Sequence, residues 1–268
     1  MKVAALQMVS GVTLDGNLQA ARALLEQAAL AGCELAVLPE YFCLLGRKDT
    51  DKLALRERAG EGRIQQFLAG SARDFGLWLV GGTLPLEAAD QGHVRNTTMV
   101  YAPDGQCAAR YDKIHLFRYD DGRETFDETR VIEPGNEPVA FDLTARDGQV
   151  WRVGLSVCYD LRFPELYRRL NAEVLLVPSA FTHTTGQAHW ETLLRARAIE
   201  NLAYVVAPAQ GGLHENGRRT WGHSMVIDPW GEILAQQGEG AGAVVATLER
   251  EQLAQLRAKL PALKHRVL

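Results

Sequence analysis

The 268-residue sequence has few cysteines and no long apolar run, and each shortage excludes a class of protein. The four cysteines, Cys33, Cys43, Cys107 and Cys158, are far apart and form no C-x-x-C pair. This spacing indicates neither a zinc site nor a disulfide framework, so we expect reduced thiols. No stretch approaches the roughly 20 apolar residues of a membrane span, and the N-terminal apolar run is too short for a signal peptide. We therefore expect a soluble, cytoplasmic protein that does not use a membrane as its partner.

The sequence also lacks a basic stripe and the glycine patterns of phosphate-binding loops. Its formal net charge of -4 argues against nucleic acid or an anionic membrane surface as the partner. Neither G-x-G-x-x-G nor G-x-x-x-x-G-K-[ST] occurs, and no cluster of His, Asp and Glu has the spacing of metal ligands. These absences predict a protein without cofactor or metal whose partner is a small molecule.

The hydrophobic content of 47% allows the chain to bury a large core, and no linker, repeat or low-complexity tract divides it. We predict one domain over residues 1–268. The first elements follow the order β-α-β-α-β, and hairpins interrupt the later ones. Mixed sheets covered by helices have this pattern, and two β-rich halves indicate two sheets packed face to face. The predicted fold is a four-layer α-β-β-α sandwich.

The individual elements are predicted from apolar periodicity and turn residues. Strands are expected at 3–8, 35–38, 78–83, 95–101, 107–112, 139–143, 151–157, 174–178, 204–207 and 243–247, with a hairpin at 224–236. Helices are expected before residue 32 and at 63–75, 164–170, 189–201 and 250–259. Residues 118–130 are predicted to be a polar segment and residues 210–219 a glycine-rich loop.

The apolar strand predicted at 151–157 ends at Cys158 and is followed at once by polar residues. A cysteine in this position is by default a small core side chain, because free cysteine is among the most buried residue types. Tyr159, Asp160 and Arg162 make poor core, however, and Pro164 suits the first turn of a following helix. Loops at strand ends are where functional residues concentrate, so this sequence favours a functional Cys158.

Glu40 and Lys113 also follow apolar or β-type runs, and such strand ends can meet at one edge of a sheet. Taken singly, each has an ordinary explanation as a solvated turn residue. Together with Cys158 they make a coherent catalytic set, because a thiol attacks an acyl carbon only as thiolate and needs a base or a nearby cation. Glu40 could take the proton, and Lys113 could stabilise the oxyanion together with the N–H of Tyr159.

Three segments carry a resemblance to a known family: VLPEYF, YDKIHLF and VGLSVCYDLRFPELYR. They resemble the signature segments of the nitrilase superfamily of carbon-nitrogen hydrolases, and further segments extend the similarity over nearly the whole chain. The resemblance implies that Glu40 is the general base, Lys113 the oxyanion stabiliser and Cys158 the nucleophile. It also implies that Glu128 holds Lys113 and helps to position the substrate.

The details are most similar to the amidase branch that contains deaminated glutathione amidases and omega-amidases. This similarity implies an amide of a small 2-oxo acid as substrate, with deaminated glutathione favoured because residues 118–128 are slightly shorter than in omega-amidases. Further candidates for substrate binding are Phe181, Thr182 and Thr185. Arg162 could pair with a substrate carboxylate, or structurally with Asp160 or Glu165.

Several alternatives remain open at this point. The chemistry could be that of an omega-amidase, a nitrilase or an N-carbamoyl hydrolase, and the fold could instead serve as a scaffold with an inert thiol. A Cys-His mechanism is a further rival, with His115, His183 and His189 as candidate bases. The resemblance also implies a homodimer, with residues 164–170 and the C-terminal segment as the candidate interface.

Overall fold

The computed structural model describes residues 1–120, 122 and 125–267. The strands of this part are β1 Lys2–Gln7, β2 Leu35–Val37, β3 Trp78–Val80, β4 Leu84–Glu87, β5 Val94–Tyr101, β6 Cys107–Asp112, β7 Arg118–Asp120, β8 Thr125–Asp127, β9 Ala140–Thr144, β10 Val150–Leu155, β11 Val174–Leu176, β12 Tyr204–Ala207, β13 Gly211–Leu213, β14 Arg219–Trp221, β15 Met225–Ile227, β16 Ile233–Gln236 and β17 Gly242–Thr247. The helices are α1 Leu14–Leu30, α2 Asp51–Ala54, α3 Arg63–Phe75, α4 Pro164–Leu170, α5 His183–Asn201 and α6 Arg250–Lys259. None of the described helices is both long and apolar enough to cross a membrane.

Two mixed sheets form the centre of the molecule. The first has the strand order β17-β1-β2-β3-β5-β4, with β6 also paired to β5. The second has the order β16-β15-β12-β11-β10-β9. Each sheet has a parallel centre, β1-β2-β3 in the first and β10-β11-β12 in the second, and antiparallel strands at its flanks. The α-β units of the sequence supply the parallel centres, hairpins supply most of the flanks, and β17 joins the edge of the first sheet from the far end of the sequence.

Alternating side chains place each sheet between two layers. On β1, Val3 and Ala5 join the core that contains the second sheet, whereas Ala4 and Leu6 join the core that contains α1 and α3. Successive side chains of a strand point to opposite faces, so one strand contributes to both cores. On the far side, Trp190 and Leu194 of α5 pack against the second sheet. This arrangement confirms the predicted α-β-β-α sandwich.

Helix α5 begins six residues before its predicted start. The sequence predicted the helix from His189, but it begins at His183, and the Thr182 hydroxyl accepts a hydrogen bond from the backbone N–H of Thr185. Threonine is a good N-cap because its oxygen satisfies a free donor of the first turn. Thr185 is therefore a residue of the first helical turn rather than of a loop.

Several short elements were not predicted. The glycine-rich segment 210–219 contains β13, which pairs with β14, and the polar segment 118–130 contains the paired strands β7 and β8. Strand β4 and the one-turn helix α2 were also missed. Strands of three or four residues are too short for a period to be visible in the sequence, and their partners are what stabilise them.

Candidate active site

Glu40 lies in the turn after β2, and its carboxylate is buried with a relative exposure of 1%. One oxygen, Oε1, accepts hydrogen bonds from Lys113 Nζ and Asn96 Nδ2, both at 2.9 Å. The other, Oε2, accepts a hydrogen bond of 2.9 Å from the backbone N–H of Ala180, which follows β11. Elements from both sheets therefore orient this carboxylate, which is the geometry that a positioned base requires.

Lys113 follows β6, and its ammonium group joins two carboxylates. In addition to Glu40, Nζ donates to both oxygens of Glu128, at 2.9 and 2.8 Å. Burial by itself lowers the pKa of Lys113, but the negative charges of Glu128 and Glu40 outweigh burial and raise the pKa above its ordinary value. Lys113 is therefore a buried cation at neutral pH.

Glu128 is the residue that fixes Lys113 from the other side. Its Oε1 accepts a hydrogen bond of 2.6 Å from the Tyr41 hydroxyl, and its Oε2 accepts one of 2.7 Å from the backbone N–H of Phe117. Burial raises the pKa of Glu128, but the charge and hydrogen bonds of Lys113 outweigh it and the pKa falls below its ordinary value. The carboxylate is therefore ionised, and it accepts four hydrogen bonds in all, two of them from Lys113.

Cys158 begins a 3₁₀ turn, Cys158–Arg162. Only residues 156 and 157 separate this turn from the end of β10. The φ of Cys158, +50°, lies in the left-handed region, which costs a residue with a Cβ of order 1–3 kcal/mol. The backbone N–H of Cys158 donates to the carbonyl of Pro178 at 2.9 Å, which ties this turn to the end of β11. Strained backbone of this kind persists where the surrounding structure dictates it, and it is common at functional sites.

The Cys158 thiol is protonated at rest. Burial and the negative charge of Glu40 raise its pKa well above the ordinary value, against the lowering effect of Lys113. These interactions also show that the sulfur lies within electrostatic range of both side chains. A thiol in this state becomes a nucleophile only when a base removes its proton, and Glu40 is the carboxylate that raises its pKa most.

A small cavity of about 210 Å³ opens onto Cys158, and we call it the Cys158 cavity. Its lining consists of Phe117, Cys158, Tyr159, Arg162, Ala180, Phe181, Thr182 and Thr185. All four side chains predicted to bind substrate, together with Tyr159, therefore lie around the sulfur. The cavity has apolar walls and one cationic side chain, a combination suited to an acyl group that carries a carboxylate.

Arg162 lines the Cys158 cavity, and among the described residues it does not make the structural pairing that the sequence also allowed. Its guanidinium carbon lies 5.6 Å from the ring centroids of both Tyr159 and Phe181. Asp160 is instead occupied by Tyr111, His115 and the backbone N–H of Val157. Within the described part of the chain, Arg162 has no ion pair with Asp160 or Glu165.

Residues 2–258 match the family described as carbon-nitrogen hydrolase. The chain belongs to this family. A deaminated glutathione amidase from Synechocystis is 44% identical over 270 residues, covering 98% of this chain and 97% of the relative. An omega-amidase from Homo sapiens is 35% identical over 270 residues, covering 99% of this chain and 94% of the relative. A crystal structure from Saccharomyces cerevisiae, described as a member of branch 10 of the nitrilase superfamily, superposes with a TM-score of 0.88 at 30% identity. The superposition covers 100% of this chain and 97% of the yeast chain. The predicted family and the predicted class of hydrolase are thus confirmed.

The three histidines considered as rival bases of this hydrolase have other partners. His115 Nδ1 lies 2.7 Å from Asp160 Oδ1, and its ring stacks on Phe163 with centroids 3.7 Å apart. His183 Nε2 lies 3.9 Å from a carboxylate oxygen of Glu239, and His189 lies 3.4 Å from the Arg162 guanidinium. No histidine is among the described residues that line the Cys158 cavity. This geometry does not support a Cys-His mechanism.

Sequence reasoning missed Asn96, Tyr41 and Phe117. Asn96 orients Glu40 from β5, Tyr41 donates to Glu128, and Phe117 lines the cavity while its N–H holds Glu128. Tyr41 and Phe117 lie inside the family segments VLPEYF and YDKIHLF, so they could have been noticed there. Asn96 had no such signal. Among the described residues, no group of three or more His, Cys, Asp or Glu is arranged to hold a metal ion.

Proposed function

We propose that this hydrolase is a cysteine-dependent amidase in which Glu40, Lys113 and Cys158 act as base, oxyanion stabiliser and nucleophile. Glu128 holds Lys113 and helps to position the substrate. The observation that carries the proposal is the Lys113 ammonium, which bonds to Glu40 and Glu128 beside a buried, protonated thiol. An ion pair that only stabilised the fold would not require a thiol close to its charges.

The first half of the reaction forms a thioester. Glu40 removes the thiol proton of Cys158 as the sulfur bonds to the carbonyl carbon of the amide. Lys113 and the backbone N–H of Tyr159 stabilise the negative oxygen that results. The carbon-nitrogen bond then breaks while Glu40 returns the proton to the nitrogen, and ammonia or an amine leaves.

The second half of the reaction releases the acid. Glu40 removes a proton from a water molecule whose oxygen attacks the thioester carbon. The carbon-sulfur bond breaks, and the proton held by Glu40 returns to the Cys158 sulfur. One amide bond and one water molecule are consumed, and one acid and one amine are formed. No cofactor takes part in this scheme.

The favoured substrate is deaminated glutathione. Arg162 would pair with the carboxylate of the 2-oxo acid, while Phe181, Thr182 and Thr185 would line the acyl chain. The 44% identity to a deaminated glutathione amidase supports this choice. An omega-amidase reaction on 2-oxoglutaramate is the second candidate, supported by the relative from Homo sapiens. Nitrile and N-carbamoyl substrates are supported only by membership of the family. A non-enzymatic scaffold would not require Glu40, Lys113 and Cys158 together.

The test measures the acid and ammonia released from deaminated glutathione, 2-oxoglutaramate, an aliphatic nitrile and an N-carbamoyl amino acid. We expect turnover of the two oxo acid amides, complete loss in Cys158→Ala, and retention of most activity in the control His115→Ala. Folded wild-type enzyme that hydrolyses neither oxo acid amide would refute the substrate class. Loss in His115→Ala with retention in Lys113→Ala would refute the proposed triad.

We also propose that the protein is a single-domain enzyme of the cytoplasm and a homodimer. Four cysteines without disulfide bonds are compatible with a reducing compartment. Cell fractionation checks the location, and recovery in an oxidising compartment would contradict it.

A further inference from the structure

A second cavity adjoins the Cys158 cavity, and we call it the vestibule. It encloses about 380 Å³ and shares Phe117 with the Cys158 cavity. Its lining consists of Tyr41, Asp49, Lys52, Phe117, Phe126, Asp127, Glu128, Val131, Ile132 and Arg218. Glu128 contacts Lys113 directly, so the vestibule lies next to the reacting groups.

Two cations, Lys52 and Arg218, face the vestibule from opposite ends of the sequence. The ammonium of Lys52 lies 4.7 Å from the ring centroid of Tyr41, and the guanidinium carbon of Arg218 lies 4.9 Å from that of Phe126. The Nε atom of Arg218 is buried without a hydrogen-bond partner, and Arg218 has no ion pair among the described residues. Burial lowers the pKa of Lys52, Asp49 raises it, and Arg218 lowers it again. An anion between the two cations would stabilise both charges.

The acidic residues of the lining do not fill this role. Glu128 is engaged by Lys113, Tyr41 and Phe117. Asp127 accepts hydrogen bonds from the backbone and hydroxyl of Thr129. Asp49 lies 3.8 Å from Lys52, but its side chain is 70% exposed, so it is a weak partner. Among the described residues, the positive charge of Arg218 therefore has no anionic partner.

The linings of the two cavities indicate what occupies the vestibule. The Cys158 cavity contains the nucleophile, so it receives the acyl part of a substrate. The vestibule contains no nucleophile, and its lining includes two cations. The remainder of such a substrate is the leaving amine, and the adjoining vestibule is the space available for it.

We infer that the vestibule binds a carboxylate on the leaving amine of the substrate through Arg218 and Lys52. The preferred substrates are then amides whose amine is an amino acid or short peptide with a free carboxylate, rather than primary amides. This inference rests on the amidase function proposed above. Arg218 and Lys52 are specificity residues in this scheme, because they bind the departing group without touching the reacting atoms.

The first experiment needs no variant. It compares deaminated glutathione, its C-terminal carboxamide and 2-oxoglutaramate as substrates of the wild-type enzyme. Loss of one charged hydrogen-bond pair corresponds to about a 10- to 100-fold change in binding, so we expect the carboxamide to have a KM higher by that factor with kcat little changed. Equal KM values for the acid and the carboxamide would overturn the inference.

The second experiment identifies the residues. Arg218→Gln and Lys52→Gln should each raise the KM for deaminated glutathione by about 10-fold or more and leave 2-oxoglutaramate within about twofold. In Arg218→Gln the acid and the carboxamide should become nearly equal. Two exposed neighbours serve as matched controls, Arg219→Gln, whose side chain pairs with Glu239, and Lys48→Gln. Both controls should behave like the wild type.

The outcomes separate the two proposals. Equal increases in KM for deaminated glutathione and 2-oxoglutaramate would mean that the variants damage the site in general. An unchanged KM for both substrates would mean that the vestibule does not bind the leaving amine. Either result contradicts the inference and leaves the amidase proposal standing. Failure of the wild type to hydrolyse any of the three amides refutes the proposed function itself.

Discussion

At the scale of single residues, the candidate site depends on charges that oppose one another. Glu40 raises the pKa of the Cys158 thiol, while Lys113 lowers it. The same Glu40 carboxylate, in the proposed mechanism, must remove the thiol proton. Burial and the Glu40 charge therefore keep the thiol protonated at rest, and the same Glu40 activates it when a substrate brings a carbonyl within reach of the sulfur.

Glu40→Gln should change two reactions of Cys158 in opposite directions. Hydrolysis should fall by about 10²- to 10⁴-fold, because the amide side chain cannot accept the thiol proton. Alkylation by iodoacetamide should become faster at a given pH, because removal of a nearby negative charge lowers the pKa of the thiol and increases the thiolate fraction. Mass spectrometry of Cys158 labelling between about pH 7 and pH 10 measures the second effect.

The other cysteines are internal references for this experiment. Cys107 is exposed and should be labelled equally in both proteins, and the buried Cys33 and Cys43 should be protected in both. Slower alkylation of Cys158 in Glu40→Gln, together with the loss of hydrolysis, would show that Glu40 does not suppress the resting thiol.

At the scale of secondary structure elements, the turn after β2 is held in place by the loop after β3. The backbone N–H of Tyr41 donates to the Thr83 hydroxyl at 2.9 Å, and the Thr98 hydroxyl donates to the carbonyl of Gly82 at 2.7 Å. Gly82 has φ +50°, and a Cβ at this position would lie only 2.0 Å from the carbonyl oxygen of Pro39. The absence of a side chain at Gly82 thus allows the close approach that positions Glu40.

Gly82→Ala should therefore damage catalysis, whereas Gly76→Ala should not. Gly76 has φ +61° at the end of α3, and a Cβ added there would meet nothing within 4 Å, so its substitution should cost only about 1 kcal/mol of stability. In Gly82→Ala the Pro39 carbonyl must move by about 1 Å, and a misplacement of that size can reduce kcat about 10²-fold. Thermal denaturation and kcat measured on both variants test the contrast, and equal kcat values would contradict it.

At the scale of the whole molecule, the packing of the two sheets assembles the site. Glu40 and Lys113 follow strands of the first sheet, whereas Cys158 and Ala180 follow strands of the second. The hydrogen bond from the Ala180 N–H to Glu40 crosses between the sheets and joins positions 140 residues apart. A change that moves the two sheets apart should therefore reduce catalysis even where the helices stay packed on their own sheets.

The proposed homodimer is tested at this scale. On α4, Leu166 and Leu170 pack inside the chain, which leaves the oppositely charged Glu165 and Arg169 exposed one turn apart. Across a two-fold axis these charges can pair with those of a second copy. Light scattering should give twice the chain mass of 29.5 kDa for the wild type and a lower mass for Arg169→Glu. The control Arg22→Glu, on α1, should stay dimeric, and a wild-type mass of 29.5 kDa would contradict the proposal.

The sequence by itself determined the features that depend on local pattern. Once residues 2–7 form a strand, Val3 and Ala5 must face one core and Ala4 and Leu6 the other, because the direction of a side chain in a strand depends only on its position. Helices α3, α4 and α6 begin and end where periodicity, Pro164 and Gly76 predict. The segments around Glu40, Lys113 and Cys158 indicated the family, and the match over residues 2–258 confirms it.

Only the tertiary structure decided which side chains meet. Lys113 bonds to Glu40 and Glu128 across 73 and 15 positions, and Asn96 and Ala180 complete the shell around Glu40. The same holds for the vestibule, where Lys52 and Arg218 approach one space from distant segments. Hydrogen bonds and buried charges act over a few ångströms, so their partners are chosen by how the two sheets pack, and no local property of the chain encodes that choice.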